Sequence, residues 1–245
     1  MNAPPRHADN PHHNQLLAAL PDVEWQRWLP CLEPVDLKLG QMLCEAGNSP
    51  AHVFFPTTAI VSLLHRMRDG ASAEIAVVGN DGVVGVSLIM GGDAMPSQAM
   101  VQSAGTGYRL HAHSVMNEVL RGGAVLQMFL RYTQALIAQV GHTAMCNRYH
   151  SIDQQLSRRL LMSLDRLPTD ELLMTQELAA NLLGVRREGV TAAALKLAQA
   201  GVIRYSRGHI AVLDRKRLEE RTCECYSAAK KEHRRLFPTP MGLAA

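Results

Sequence analysis

Arg186, Arg187, Glu188 and Thr191 crowd the leading end of an amphipathic helical pattern. A guanidinium carries a planar fork of donors that matches guanine O6 and N7, and a glutamate carboxylate accepts from cytosine N4. At the start of an exposed helix, such residues are suited to reading base edges in a DNA major groove. No catalytic residue is assigned, and no metal or cofactor is expected.

The surrounding sequence supplies the elements that would hold them. Thr175 is a good N-cap, and Leu178, Ala179, Leu182 and Leu183 give a short helix that Gly184 can end in the left-handed region. The helix bearing the arginines follows, with an Ala/Leu series turned inward; two short helices across a glycine form a helix-turn-helix. Residues 201–205 and 209–213 then flank Ser206-Arg207-Gly208 as a two-stranded hairpin, the wing, which puts Arg204, Ser206 and Arg207 within reach of phosphates. A run of arginine alone marks only a solvated face. Here helix, glycine turn, charged helix start and hairpin occur together in the basic part of the chain: residues 147–245 hold 17 basic and 11 acidic side chains, net +6, against 8 and 11, net −3, in residues 1–146.

Upstream, the 245-residue chain is 47% hydrophobic, enough for a sizeable core. Residues 1–14, rich in Pro, His and Asn, read as a disordered tail; His7, His12 and His13 there are assigned to solvent rather than to a metal. Residues 15–121 read as a β-roll with two leading helices. Its expected strands lie around Val53–Phe55, Ile60–Leu64, Glu74–Val78, Val83–Leu88, Met100–Val101 and Tyr108–Leu110, punctuated by glycines. Residues 122–147 form a long helix whose apolar series, including Phe129, Tyr132, Leu136 and Val140, exceeds what one neighbour can cover. One face rests on the roll and the other meets a second copy, in preference to a helix buried within a single domain. A hinge is expected at Asn147–His150, a winged helix-turn-helix over 148–217, and a C-terminal helix and tail over 218–245. The fold class is therefore α+β: an N-terminal antiparallel β-roll of jelly-roll or cupin-like type, a long dimerisation helix and a C-terminal winged helix-turn-helix.

The run Gly184-Val185-Arg186-Arg187-Glu188-Gly189-Val190, with this domain order, resembles the Crp/Fnr family of bacterial transcription regulators. The resemblance covers nearly the whole chain. It implies a homodimer binding double-stranded DNA at a pseudo-palindromic operator, with RNA polymerase as the expected protein partner. Arg187 and Glu188 match the family's base-reading pair, and Thr175, with Gln176 beside it, matches the phosphate-contacting start of the first helix. Arg186 replaces a small polar residue. Ala192 stands where better-known members carry a second arginine, so their half-site does not transfer.

The resemblance leaves the effector unnamed. Cyclic-nucleotide binders of the family hold the phosphate with an arginine followed by Ser or Thr, and the ribose with a glutamate after a glycine. Here Ser97 and Gln98 stand at the first place and no glutamate follows Gly82, so the usual cyclic-nucleotide binding is not expected. Cys31 and Cys44 are too few for the family's iron–sulfur type, and Cys223 and Cys225 are two thiols where a closed zinc site in one chain needs four ligands. They read as inert rather than as a sensor. The alternative is a cupin-like metal-dependent enzyme or metal sensor joined to a DNA-binding domain. Gly105, His111, His113 and Glu118 carry part of the first cupin motif, although Val125 replaces its later glycine and the second motif is absent. Few, scattered cysteines and the lack of any long apolar run point to a soluble cytoplasmic protein without membrane contact.

Overall fold

A computed structural model describes residues 10–92, 94–167, 169–206 and 208–237. The described residues begin inside the expected tail, and those from 10 to 14 are folded onto the rest of the chain. Residues 11–13 make a single 3-10 turn, and His12 lies against the Trp25 ring at 4.3 Å. Asn14 is fully buried and caps α1 (Gln15–Ala18): its oxygen accepts from Leu16 N at 3.0 Å, while its amide donates to the carbonyls of Pro56 and Gly82. All its polar capacity is used, which is why a buried asparagine is tolerated there. With α2 (Asp22–Trp28), these helices close one end of the roll.

Two antiparallel sheets build the roll. Strands β1 (Glu33–Leu37), β2 (Met42–Cys44), β3 (His52–Pro56), β4 (Ile60–Arg66), β5 (Ser72–Val78), β6 (Gln98–Ser103) and β7 (Gly105–His111) pair in the orders β1-β7-β3 and β2-β6-β4-β5. Inward residues of both, among them Leu37, Val61, Val78 and Val101, form one core cluster. The segment 83–88 differs from the expected strand. It contributes a lone bridge between Val84 and Phe54, and then Gly85 at φ 106° turns it into a 3-10 helix, Val86–Met90. A side chain at Gly85 would press on Val53 Cγ1 at 3.0 Å, so both the turn and the close approach require glycine.

After α3 (Ala112–Arg121), Gly122 and Gly123 both take positive φ and launch α4 (Ala124–Tyr149). The helix continues through the expected hinge. It stops only at His150, where Ser151 and Gln154 form a reciprocal capping box that starts α5 (Ile152–Leu164). Phe129 and Tyr132, assigned above to self-association, are instead buried in the protomer's own core, Phe129 6.2 Å from the Trp28 ring. Leu136 and Val140 are half-buried against the roll. The face turned to solvent carries Leu130, Gln134, Ile137, Gly141 and Ala144. The apolar series was too broad to show which stripe faced the roll.

Both faces of the β4–β5 region are covered. Ile60, Leu64 and Val77 join Leu156, Leu160, Ala179 and Leu183 in a second core, so the C-terminal domain sits directly on the outside of the roll. That domain contains β8 (Glu171–Leu173), α6 (Gln176–Leu183), α7 (Arg187–Gln199), β9 (Ile203–Ser206), β10 (His209–Val212), α8 (Arg215–Arg221) and α9 (Glu224–Leu236), with α9 packed back along α4. No helix among the described residues is long and apolar enough to cross a membrane.

Candidate nucleic-acid interface

Thr175 caps α6 through its hydroxyl, which accepts from Leu178 N at 3.1 Å. Gly184 ends the helix at φ 64°, ψ 33°, the left-handed conformation expected of it. Arg186 is then the N-cap of α7 with extended backbone, not its first turn, and Arg187 begins the helix. Val190, Ala193, Ala194 and Leu197 recur every three or four residues and are buried, which turns Arg187, Glu188, Thr191, Ala192 and Leu195 outward. Gly189 sets how closely α7 can cross α5: a Cβ there would lie 2.6 Å from Ile152 Cδ1.

The three-stranded wing, ordered β8-β10-β9, packs beside the start of α6. Met174 N donates to Gly208 O at 2.7 Å, and the Tyr205 hydroxyl donates to Met174 O at 3.2 Å. Thr175, Gln176, Arg187, Tyr205 and Gly208 thus line one open groove between the two helix starts and the wing. It brings Arg187 together with a helix N-terminus, where backbone N–H groups favour an anion, and with the Glu177 carboxylate of that first turn. Burial raises the Tyr205 phenol above its ordinary value, against the opposing pull of Arg187.

Of the residues assigned from sequence, Arg186, Arg187, Glu188, Thr175, Arg204 and Ser206 are exposed and Gln176 is half-buried. Two are partly engaged. The Thr191 hydroxyl is 2.8 Å from Gln176 Oε1 and 3.0 Å from Arg187 O, so its single proton ties the two helices together. Arg204 lies 3.8 Å from Glu171 across the sheet, an exposed pair that water screens well. Arg207 lies outside the described residues. Sequence reading missed β8, a three-residue strand below the length at which alternation is visible, and with it Glu171.

The cupin-like residues do not assemble. His111 ends β7 with its ring tilted against that of His52 at 4.1 Å, while His113 sits on α3 beside Asn117. The buried Glu118 carboxylate is occupied by Arg27, whose Nη2 donates at 2.9 Å. In the roll, Ser97 is buried and Gln98 donates to Glu45 at 2.7 Å.

A family model described as a Crp-like helix-turn-helix domain matches residues 154–221, and one described as a cyclic nucleotide-binding domain matches residues 34–121. No curated protein matches the chain in sequence. Among solved structures, FixK2 from Bradyrhizobium japonicum is similar at TM-score 0.65 and 15% identity, covering 78% of this chain and 98% of its own. The CRP/FNR-family transcriptional regulator TTHA1359 from Thermus thermophilus gives 0.62 and 19%, covering 80% and 98%. The c-di-GMP-responsive global regulator CLP from Xanthomonas campestris gives 0.59 and 13%, covering 76% and 96%.

Proposed function

The chain belongs to the Crp/Fnr family of transcriptional regulators, and we propose that it acts as a homodimer reading a pseudo-palindromic DNA site under a signal other than cyclic AMP. The observation that carries this is the exposed start of α7. There Arg187 projects beside the α6 N-terminus and the wing with the exposed Glu188 next to it, an arrangement that offers base contacts from one helix and phosphate contacts on either side. Arg186 precedes the helix as its exposed N-cap, a position that suits a phosphate or an outer base.

The solvent face of α4 supports the dimer. Leu130, Gln134, Ile137, Gly141 and Ala144 alternate at spacings of four and three, the seam of a two-stranded coiled coil. A Cβ at Gly141 would meet nothing within 4 Å, leaving room for a second backbone. Two copies joined there would present two readers about one DNA turn apart. A change in the roll would then move α4 against α5 and so change reader spacing. Contact with RNA polymerase belongs to the same reading.

Selection of bound DNA from a random pool with the full-length protein tests this. A two-fold symmetric motif is expected, with binding that weakens steeply as salt rises. Binding without sequence enrichment, both alone and with cellular small-molecule extract, would overturn it.

A further inference from the structure

Cys146, on the last turn of α4, meets Cys223 and Cys225 at the start of α9, and His150 closes the group from the end of α4. Cys146 Sγ is 3.5 Å from Cys223 Sγ, Cys225 Sγ is 3.7 Å from His150 Nδ1, and all four donor atoms lie within 4.8 Å of one another. A tetrahedral zinc ion, with Zn–S of about 2.3 Å and Zn–N of about 2.0 Å, separates its ligand atoms by about 3.5 to 3.8 Å. The observed distances therefore need only small rotations to become a ligand set. They are far beyond the ~2.05 Å of a disulfide.

We propose that Cys146, His150, Cys223 and Cys225 form a closed zinc site that clips the end of α4 to the start of α9. Three thiolates and an imidazole are the donor set of structural zinc, and with all four positions filled by protein no site is left for substrate. The surroundings fit as well. The other ring nitrogen of His150 is 3.3 Å from Glu224 Oε2, the outer carboxylate that usually orients a metal-bound histidine. Zinc with three thiolates carries one net negative charge. The buried Arg158 acts electrostatically on both Cys146 and Cys225, and its Nε has no hydrogen-bond partner in this structure.

The position gives the ion a role. α4 stops at His150 and the reader domain begins at Ser151, so the clip sits on the joint between them. α9 also holds α5 through Tyr226 and Lys230 on Asp165. Loss of the ion would free α9 from α4 at the joint that relays any movement of the roll. The zinc assignment itself stands whether or not the DNA reading does.

The test is metal analysis of full-length protein purified under reducing conditions, with cobalt titration of the metal-free chain. About one zinc per chain is expected, at least ten times less in Cys223→Ser, with Glu224→Ala binding about 10 to 100 times more weakly. Cobalt should give the intense visible bands of a tetrahedral thiolate site, a readout on the unaltered chain that stands even if the variant fails to fold. A folded, reduced chain that neither carries zinc nor gives those bands would overturn the proposal. So would zinc retained in a folded Cys223→Ser, the colour of an iron–sulfur cluster, or a Cys146–Cys223 disulfide.

Discussion

Arg159 of α5 donates from Nη2 to Glu74 Oε2 of β5 at 2.8 Å, and both side chains are buried where the reader domain meets the roll. Glu74 also accepts from Ser62 at 2.5 Å, and Arg159 reaches Gln102 and Ser163. Burial pushes Glu74 up and Arg159 down from their ordinary values, and each is drawn back by the other's charge. Such a pair stabilises little relative to apolar residues but is costly to break on one side. Glu74→Gln is therefore expected to lower stability by about 3 to 5 kcal/mol, because the guanidinium loses its charge partner in a dry site. Replacing both residues, Glu74→Gln with Arg159→Met, should recover part of that loss in chemical denaturation; a further additive loss would mean the two do not act as a pair.

At the reader, Arg187→Ala should cost about 1 to 3 kcal/mol on the selected site and relax base preference at one position of each half-site. Thr191→Val should change preference less, since the hydroxyl is already committed to Gln176 and the Arg187 carbonyl. Its effect is expected on stability, through the lost tie between α6 and α7. Binding assays against specific and random DNA separate the outcomes: an equal loss on both for Arg187→Ala would exclude base reading.

Much of this site could be read along the chain because it is local. The cap Thr175, the stop Gly184 and the buried series from Val190 to Leu197 lie within about two dozen residues, and each follows from local backbone geometry or helical period that few residue types satisfy. What escaped depends on contacts distant in sequence. Cys146 reaches Cys223 across 77 residues, so two thiols near the C-terminus gave no sign of four donors. Phe129 and Leu130 are neighbours on one apolar helix. Only the packing of α2 and the roll decides that the first is core and the second surface.

That division makes a prediction about assembly. Ile137, 62% exposed at the middle of the α4 seam, should tolerate Ile137→Glu within the protomer, while two facing carboxylates split the dimer. Phe129→Ala should instead cost about 3 to 5 kcal/mol of folding stability through the cavity it leaves. Light scattering beside thermal melts distinguishes the two; an Ile137→Glu variant that remains fully dimeric at low concentration would place the seam elsewhere.

Within the roll, Ser97 is buried and Gln98 is hydrogen-bonded to Glu45, and the family resemblance makes this the stretch where an arginine would be expected to offset a cyclic phosphate. Cyclic AMP at millimolar concentration should leave the melting temperature unchanged, because a ligand that does not bind the native state cannot stabilise it. A saturable rise would show that another cation serves the phosphate.

Asp165, at the end of α5, accepts from Arg215, from the Tyr226 hydroxyl at 2.9 Å and from Lys230 at 3.2 Å. Burial alone would raise this carboxyl, but the hydrogen bonds from Arg215, Tyr226 and Lys230 carry it below its ordinary value. A depressed acid binds fewer protons folded than unfolded, so its stabilisation is complete above the unfolded value of about 3.9 and is lost as pH falls through the folded one. Asp165→Asn should thus be less stable than the parent at pH 7 by about 1.5 to 3 kcal/mol, the range for hydrogen bonds to a charged group. The gap should begin to narrow once the pH drops below about 4, where the unfolded carboxyl takes up its proton, and close only when the folded carboxyl is neutral as well. Denaturation midpoints of both proteins across that range measure it. A gap independent of pH would assign the loss to packing of α8 and α9 rather than to the charge of Asp165.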